Sequence, residues 1–456
     1  MKISMKLGLL FFFAAFIIVS FRQGPVYAKD RVRTILYGSS IQGEHSPVIK
    51  NGSVLAPFKD IFNSLGFTVT FDSASKTITG SKSGTIIKFL INQNTAWINN
   101  TPFTLQVPPQ IINGTTYVPL RFIGEASGLE VKWYGQSQIV SLYSKENLFS
   151  VMNGGKFGYI NAQGKVVIDY QEKFSDAYAF KEGLAIVQSG GKFAGFINQQ
   201  GKIVIPKGAY YDAKSFSEGL AAYRTVIIST SPDSVISKYG YMDITGTSVI
   251  KPKYTRASDF SEGLAAVQIG SKFGFIDPSG NLVIKAQYDS AMDFSEGLAL
   301  VKIKDAFSFI DKKGKAVIEV AYSQVESFSE DLSVVKKNSK YGYINKTGKL
   351  VIPAIYEAAN SFSEGLGAVR LNGKQGYVDK KGELQIFSQV DKSSNFMGGL
   401  AVAESGGKTG FINKRGEWVI QPTLAWANPF FYGLSYAFVD DGEIYINQSG
   451  KIVWRR

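Results

Sequence analysis

Leu264-Ala-Ala-Val-Gln-Ile269, Gly270-Ser-Lys272, Phe273-Gly-Phe-Ile276, Asp277-Pro-Ser-Gly280 and Leu282-Val-Ile284 follow one another in a single stretch. The apolar runs are three to six residues long, too short for helices, and the segments between them carry turn chemistry. Asp can accept its own backbone amides two residues on, and Gly takes a positive φ at no steric cost. The stretch therefore reads as three short strands. A polar segment from Tyr288 then leads to Phe294-Ser-Glu-Gly-Leu298, where the pattern starts again.

Outward from this unit the pattern recurs along two thirds of the chain. The phenylalanine of Phe-Ser-Glu-Gly-Leu, or of its variants, stands at Phe180, Phe216, Phe260, Phe294, Phe328, Phe362, Phe396 and Phe430, with every step from Phe260 onward equal to 34. A companion motif, Gly-aromatic-Ile-Asp/Asn-x-x-Gly, begins at 158, 195, 240, 274, 308, 342, 376, 410 and 444, with Ser308 and Ile444 in place of glycine. Nine units result. The first lacks its Phe-Ser-Glu-Gly lead-in and the last stops after its hairpin. Thirty-four is also the length of a helical tetratricopeptide unit, but glycines at fixed mid-unit positions and the turn residues argue against helices. The eight phenylalanines are the expected structural anchors, because a unit that cannot bury its own apolar face must stack it on a neighbour. Nine units of this kind resemble the WG repeat over residues 148–454, with Phe or Tyr replacing the namesake tryptophan in Lys156-Phe-Gly158, Lys272-Phe-Gly274 and Lys340-Tyr-Gly342. The resemblance implies an interaction or scaffold array.

Ahead of the array, residues 30–145 contain a unit repeated at an offset of 62: Asn51-Gly-Ser-Val-Leu-Ala-Pro57 answers Asn113-Gly-Thr-Thr-Tyr-Val-Pro119, and Leu65-Gly66 answers Ser127-Gly128. Each copy reads as a turn, a Pro opening a short helix, a Gly stop and an alternating strand. This is an α+β domain, expected over 29–145. The run Ile112-Asn-Gly-Thr-Thr-Tyr-Val-Pro-Leu-Arg-Phe122, with Glu125-Ala-Ser-Gly128 and Val131-Lys-Trp133, resembles the copper amine oxidase N-terminal-like (stalk) domain over residues 35–143. That family is common in exported proteins of Gram-positive bacteria. Copper needs several imidazoles and the chain has one histidine, His45, so the resemblance implies a non-catalytic accessory module.

Residues 1–28 read as a secretory signal: Lys2 and Lys6, an apolar core from Leu7 to Val19, and Val26-Tyr-Ala28 before Lys29. That core is 13 residues long, short of the roughly 20 that a spanning helix needs, and no later segment approaches spanning length. The mature chain is expected to be secreted or associated with the cell surface, with no transmembrane span after cleavage. It has no cysteine, so packing alone must hold it together. The +13 charge falls to +10 without the signal, with 11 Lys/Arg against 6 Asp/Glu in residues 29–145 and 36 against 31 in residues 146–456. That density favours anionic neighbours but lacks the concentrated patch of a nucleic-acid binder.

No catalytic constellation is apparent. The repeated Glu182, Glu218, Glu262, Glu296, Glu330 and Glu364, and Asp243, Asp277, Asp311 and Asp379, are read as turn residues, since Asn161, Asn198, Asn345, Asn413 and Asn447 fill the Asp slot elsewhere. No metal and no cofactor are expected. Lys156, Lys238, Lys272, Lys340, Lys374 and Lys408, together with Lys192, share a register before the hairpin glycine and form a candidate stripe for an anionic cell-wall polymer. An unknown protein is the other candidate partner. An insertion between Leu220 and Gly240, including Ser229 to Ser234, marks a possible binding loop. The sequence thus points to a mainly β protein: a small α+β domain followed by a nine-unit array of 34-residue period. An open solenoid is favoured, and the alternative is a closed, propeller-like ring that would draw a fourth strand from each Tyr288-to-Phe294-like segment. The expected function is non-catalytic binding or scaffolding; a glycan-active hydrolase and a purely structural spacer are the alternatives.

Overall fold

The computed structural model describes residues 31–208, 210–228, 235–386 and 390–456. The signal peptide expected over 1–28 and the tip of the insertion, 229–234, lie outside the described residues.

In the N-terminal domain the two halves of the internal repeat meet directly. Ser53–Pro57 pairs antiparallel with Thr115–Pro119, Ala56 opposite Val118, and each strand runs through its proline into a seven-residue helix, Phe58–Ser64 and Leu120–Ala126. Gly66 and Gly128, both at φ +77°, stop the helices. A five-stranded meander from Thr68 to Thr104 covers them, and Phe62, Phe89, Ile61, Ile123 and Leu142 fill the common core. Arg33–Leu36 pairs parallel with Ile139–Ser144 and ties the beginning of the domain to its end.

The array consists of nine separate antiparallel sheets, the first three-stranded and the other eight four-stranded. Among the described residues no sheet closes into a barrel. In the unit around Phe294 the strands are Ser290–Ala291, Ala299–Ile303, Ala306–Ile310 and Ala316–Val320, hydrogen-bonded in that order. The two-residue strand is the fourth strand that a ring requires, and it comes from the Tyr288-to-Phe294 segment. The first sheet has no such strand because its lead-in is missing.

Successive sheets pack face to face through one aromatic pair per junction. The middle-strand aromatic of one sheet meets the phenylalanine of the next: Tyr159 with Phe180, Phe196 with Phe216, Tyr241 with Phe260, Phe275 with Phe294, Phe309 with Phe328, Tyr343 with Phe362, Tyr377 with Phe396 and Phe411 with Phe430, at centroid separations of 4.5–5.0 Å. Seven of the eight phenylalanines are buried and Phe180 is half-buried. Where the partner is Tyr159, Tyr241, Tyr343 or Tyr377, its hydroxyl donates to a backbone carbonyl of the next unit at 2.6–2.8 Å. A tyrosine there loses no hydrogen bond on burial, which is why Phe and Tyr alternate freely.

The ninth junction joins the last sheet to the first. Tyr445 packs on Phe149 at 5.7 Å and donates its hydroxyl to the carbonyl of Ser150 at 3.0 Å. Trp454 Nε1 donates to the Tyr170 hydroxyl at 3.1 Å, and Leu434 shares a core with Phe149, Val151 and Ile160. Phe149 thus stands in for the phenylalanine that the first unit lacks. The two ends of the array meet, which is the ring alternative that the sequence reading ranked second. The atypical terminal units do not cap an open stack; each completes the other. The join rests on side-chain packing, since no strand of the last sheet is paired with the first.

The N-terminal domain docks on the second and third units with a shared core. Ile35, Tyr134 and Ile139 pack with Leu184, Ile186, Phe196, Ile205 and Phe216. Asn198 Nδ2 donates to the Tyr37 carbonyl at 2.8 Å, and Arg33 meets Asp243 at 3.1 Å with the carboxylate only 1% exposed.

Candidate binding surfaces

Each Phe-Ser-Glu-Gly-Leu motif is a two-residue hairpin. Ser295 N donates to Leu298 O at 2.9 Å, Leu298 N returns to Ser295 O at 3.1 Å, and Glu296 and Gly297 both take positive φ, +54° and +85°. This is the I′ geometry whose twist matches flanking strands. Glutamate is an uncommon occupant of such a φ, yet Glu182, Glu218, Glu262, Glu296, Glu330 and Glu364 all adopt it at +51° to +55°.

The neighbouring turn explains the choice. Each of these carboxylates accepts a backbone N–H from the turn of the following unit: Gly219 to Glu182, Gly263 to Glu218, Gly297 to Glu262, Asp331 to Glu296, Gly365 to Glu330 and Gly399 to Glu364, at 2.8–3.1 Å. The serine before five of the six glutamates does the complementary task, as Ser261 Oγ donates to Phe294 O at 2.7 Å and Ser295 Oγ to Phe328 O at 2.9 Å. The sequence reading assigned these glutamates to their own turns and missed the inter-unit bond. Their separation of one full period was the available signal.

Position along the array tunes the same carboxylate in opposite directions. Burial beneath the N-terminal domain pushes the Glu182 carboxyl above the usual carboxylate range, against the pull of the Gly219 amide and Tyr134. At Glu262 burial also pulls upward, but the Lys312 ammonium and the Gly297 amide outweigh it and hold the carboxyl low. A carboxylate NMR titration is expected to find Glu182 above and Glu262 below the ordinary glutamate value. A raised folded value means that Glu182 withdraws stability as pH climbs from the unfolded value through the folded one. Glu262 contributes stability above the unfolded value and loses it as pH falls through its depressed one.

The lysines expected as a stripe sit at the hairpins between the two middle strands, and four of them face a carboxylate. Lys156 pairs with Glu172, Lys272 with Asp289 at 2.5 Å, Lys340 with Glu357 at 3.8 Å and Lys408 with Asp440 at 2.9 Å. Lys192, Lys238 and Lys374 have no such ion pair among the described residues. The stripe's field is therefore cancelled at four of seven positions.

A second register is apolar and exposed. Val167, Val249, Val283, Val317, Val351 and Val419 occupy one position on the edge strand of six units, each 37–50% exposed. The isoleucine that follows each faces the core, as with Ile168, Ile250, Ile284, Ile318 and Ile352. Strand alternation alone would favour a polar residue at the outward position. The valines were visible in the sequence within Leu282-Val-Ile284, but that Leu282 and Val283 are both exposed and Ile284 alone is buried was not.

Among the described residues no three His, Cys, Asp or Glu side chains gather as a metal site, and no helix is long and apolar enough to cross a membrane.

A family model described as "copper amine oxidase N-terminal domain" matches residues 35–142. A second, "WG containing repeat", matches 157–193, 195–225, 239–273, 273–305, 307–341, 341–374 and 410–442, together more than half of the chain. The unmatched stretch after 374 contains Gln375, where the aromatic before the glycine is lost. No curated protein matches this sequence. Among solved structures, one described as "the eukaryotic initiation factor" is similar over 69% of this chain and 96% of that one, with a TM-score of 0.51 and 10% identity, a likeness of fold alone. The extracellular domain of a one-component system from B. thetaiotaomicron (TM-score 0.29, 10% identity, 84% of this chain and 64% of that one) and an acylaminoacyl peptidase from Pyrococcus horikoshii (0.31, 8%, 53% and 52%) carry no argument.

Proposed function

The chain belongs to the WG-repeat family, and from that premise we propose that it is an exported, non-catalytic scaffold that binds a cell-surface or extracellular partner through the rim of its ring. The observation that carries the reading is the row of exposed valines at one register of six units. Apolar side chains repeated outward at a fixed position, beside exposed lysines, are the composition of a contact surface and not of a solvated one. Repetition lets contacts that are weak singly act together. The family match of the N-terminal domain and the signal-like residues 1–28 support export.

The partner proposed is a protein or an anionic wall polymer, with the valines supplying area and the unpaired Lys192, Lys238 and Lys374 supplying charge. Changing Val249, Val283, Val317 and Val351 together to Ser should lower the melting curve only slightly, because these side chains are partly exposed and belong to no core cluster. Retention of the mature chain on isolated cell wall and on extracellular proteins should fall at least tenfold. Equal retention of the variant rejects the rim as the contact surface. Release of the native chain by salt at about 0.15 M, where the screening length is about 8 Å, would assign the binding mainly to lysine.

A further inference from the structure

The belt of inter-unit turns is broken at one place. Eight units carry the two-residue turn; the first carries none, and Ser144 to Asn147 pass through the vacant position, held by Gln199, whose Nε2 donates to the Ser144 and Glu146 carbonyls at 3.1 and 3.2 Å. Glu146 stands at the register of the repeated glutamate, but its carboxylate accepts from Asn161 Nδ2 at 2.9 Å. At the next turn Gly183 is buried, and its N–H, which in six other turns meets the preceding unit's glutamate, has no acceptor among the described residues. A cavity of about 640 Å³ opens at this point, between the linker, the first and last turns and the N-terminal domain.

The residues that flank the vacancy depart from the repeat on both sides. Where five units have Ser-Glu, the last turn has Phe431 and Tyr432, 43% and 58% exposed and stacked edge to face at 4.4 Å. Where those five have Ser, the first turn has Lys181, its ammonium 5.2 Å from the Phe431 ring centroid. Lys132 and Lys145 also line the cavity. Three acids line it too: Glu130, Glu182, which accepts from the Gly219 N–H, and Glu146, which accepts from Asn161 Nδ2.

We infer that this cavity is a docking site for an acidic peptide segment, which places a glutamate carboxylate on the Gly183 N–H and an apolar side chain against Phe431 and Tyr432. The occupant is argued from the protein's own repeat: in six junctions the partner of this amide is a glutamate delivered by a polypeptide turn. Lys132, Lys145 and Lys181 are balanced by Glu130, Glu146 and Glu182, so recognition rests on the Gly183 N–H and the exposed Lys181, and the volume falls in the range of ligand pockets, about 300–1,000 Å³. The site deepens the binding role proposed above but is separate from the valine rim.

The test uses mature chain, residues 29–456, and two blocked pentapeptides, Phe-Ser-Glu-Gly-Leu and Phe-Ser-Gln-Gly-Leu, with amide NMR as the readout. The glutamate peptide should move the Gly183 amide downfield in a saturable way. The glutamine peptide should bind at least tenfold more weakly, as should the glutamate peptide to Lys181→Glu, an exposed substitution. No saturable movement, equal affinity for both peptides, or a Gly183 amide that shifts upfield on Glu146→Gln without peptide would overturn the inference, the last by showing that the chain fills its own vacancy. Peptide binding to the valine-to-serine variant separates the two ideas: the site can stand when the rim fails, and the rim when the site fails.

Discussion

Phe294→Ala is expected to lower the stability of the array by about 3–5 kcal/mol, the range for removing a large aromatic from a packed core. Phe294 is 1% exposed and lies 5.0 Å from Phe275 of the preceding sheet. It shares one cluster with Ile284 and Tyr288 of that sheet and Ala299 and Val301 of its own. Truncation therefore opens a void between two sheets that touch almost wholly through such contacts. Phe180→Ala is the internal control, since Phe180 is only half-buried and should cost markedly less. Denaturant unfolding of both variants checks the ordering; a Phe294→Ala curve that overlays the native one would show that the aromatic column is not what joins the sheets.

Arg33→Ala is expected to cost a similar amount, about 3–5 kcal/mol, because it strands a buried carboxylate. Asp243 Oδ1 is satisfied within its own turn by Thr245 N at 2.9 Å and Thr247 N at 3.1 Å, while Oδ2 faces Arg33. The pair spans the N-terminal domain and the third unit, so the loss should appear first as undocking: faster proteolysis between residues 140 and 150 and a separate early melting step. Adding Asp243→Asn to Arg33→Ala should recover part of the loss, since the neutral side chain can still accept the turn amides. If the double variant is no better than the single one, the stranded charge is not the source of the cost.

The unit, its period and its burial pattern were legible in the sequence because they rest on local facts. Asp277-Pro-Ser-Gly280 can only turn, and a phenylalanine recurring every 34 residues must meet the same environment each time. The short fourth strand was less visible, since two residues such as Ser290–Ala291 carry no alternation to read. Ring closure could be named only as the alternative to an open stack. Tyr445 and Ser150 are 295 residues apart, and Phe149, which completes the aromatic column, stands where other units have alanine, as at Ala265 and Ala299. The lysine stripe shows the opposite failure. Its register was plain, and Asp289 and Glu357 follow their lysines at one common spacing that could have been read with it, but Glu172 stands one residue short of that spacing and Asp440 reaches Lys408 from the next unit, a cancellation that appears only in space.

Closure by the packing of Tyr445 and Trp454 on the first sheet has a consequence for how such a gene can change. An open stack tolerates the gain or loss of a module, because each repeat touches only its neighbours and the ends simply move apart. A ring must return to its starting point. A tenth copy or a missing one brings Phe149 and Tyr445 together again only if the angle at every other junction shifts to absorb the change. Divergence within modules remains the route by which the rim and the seam can vary.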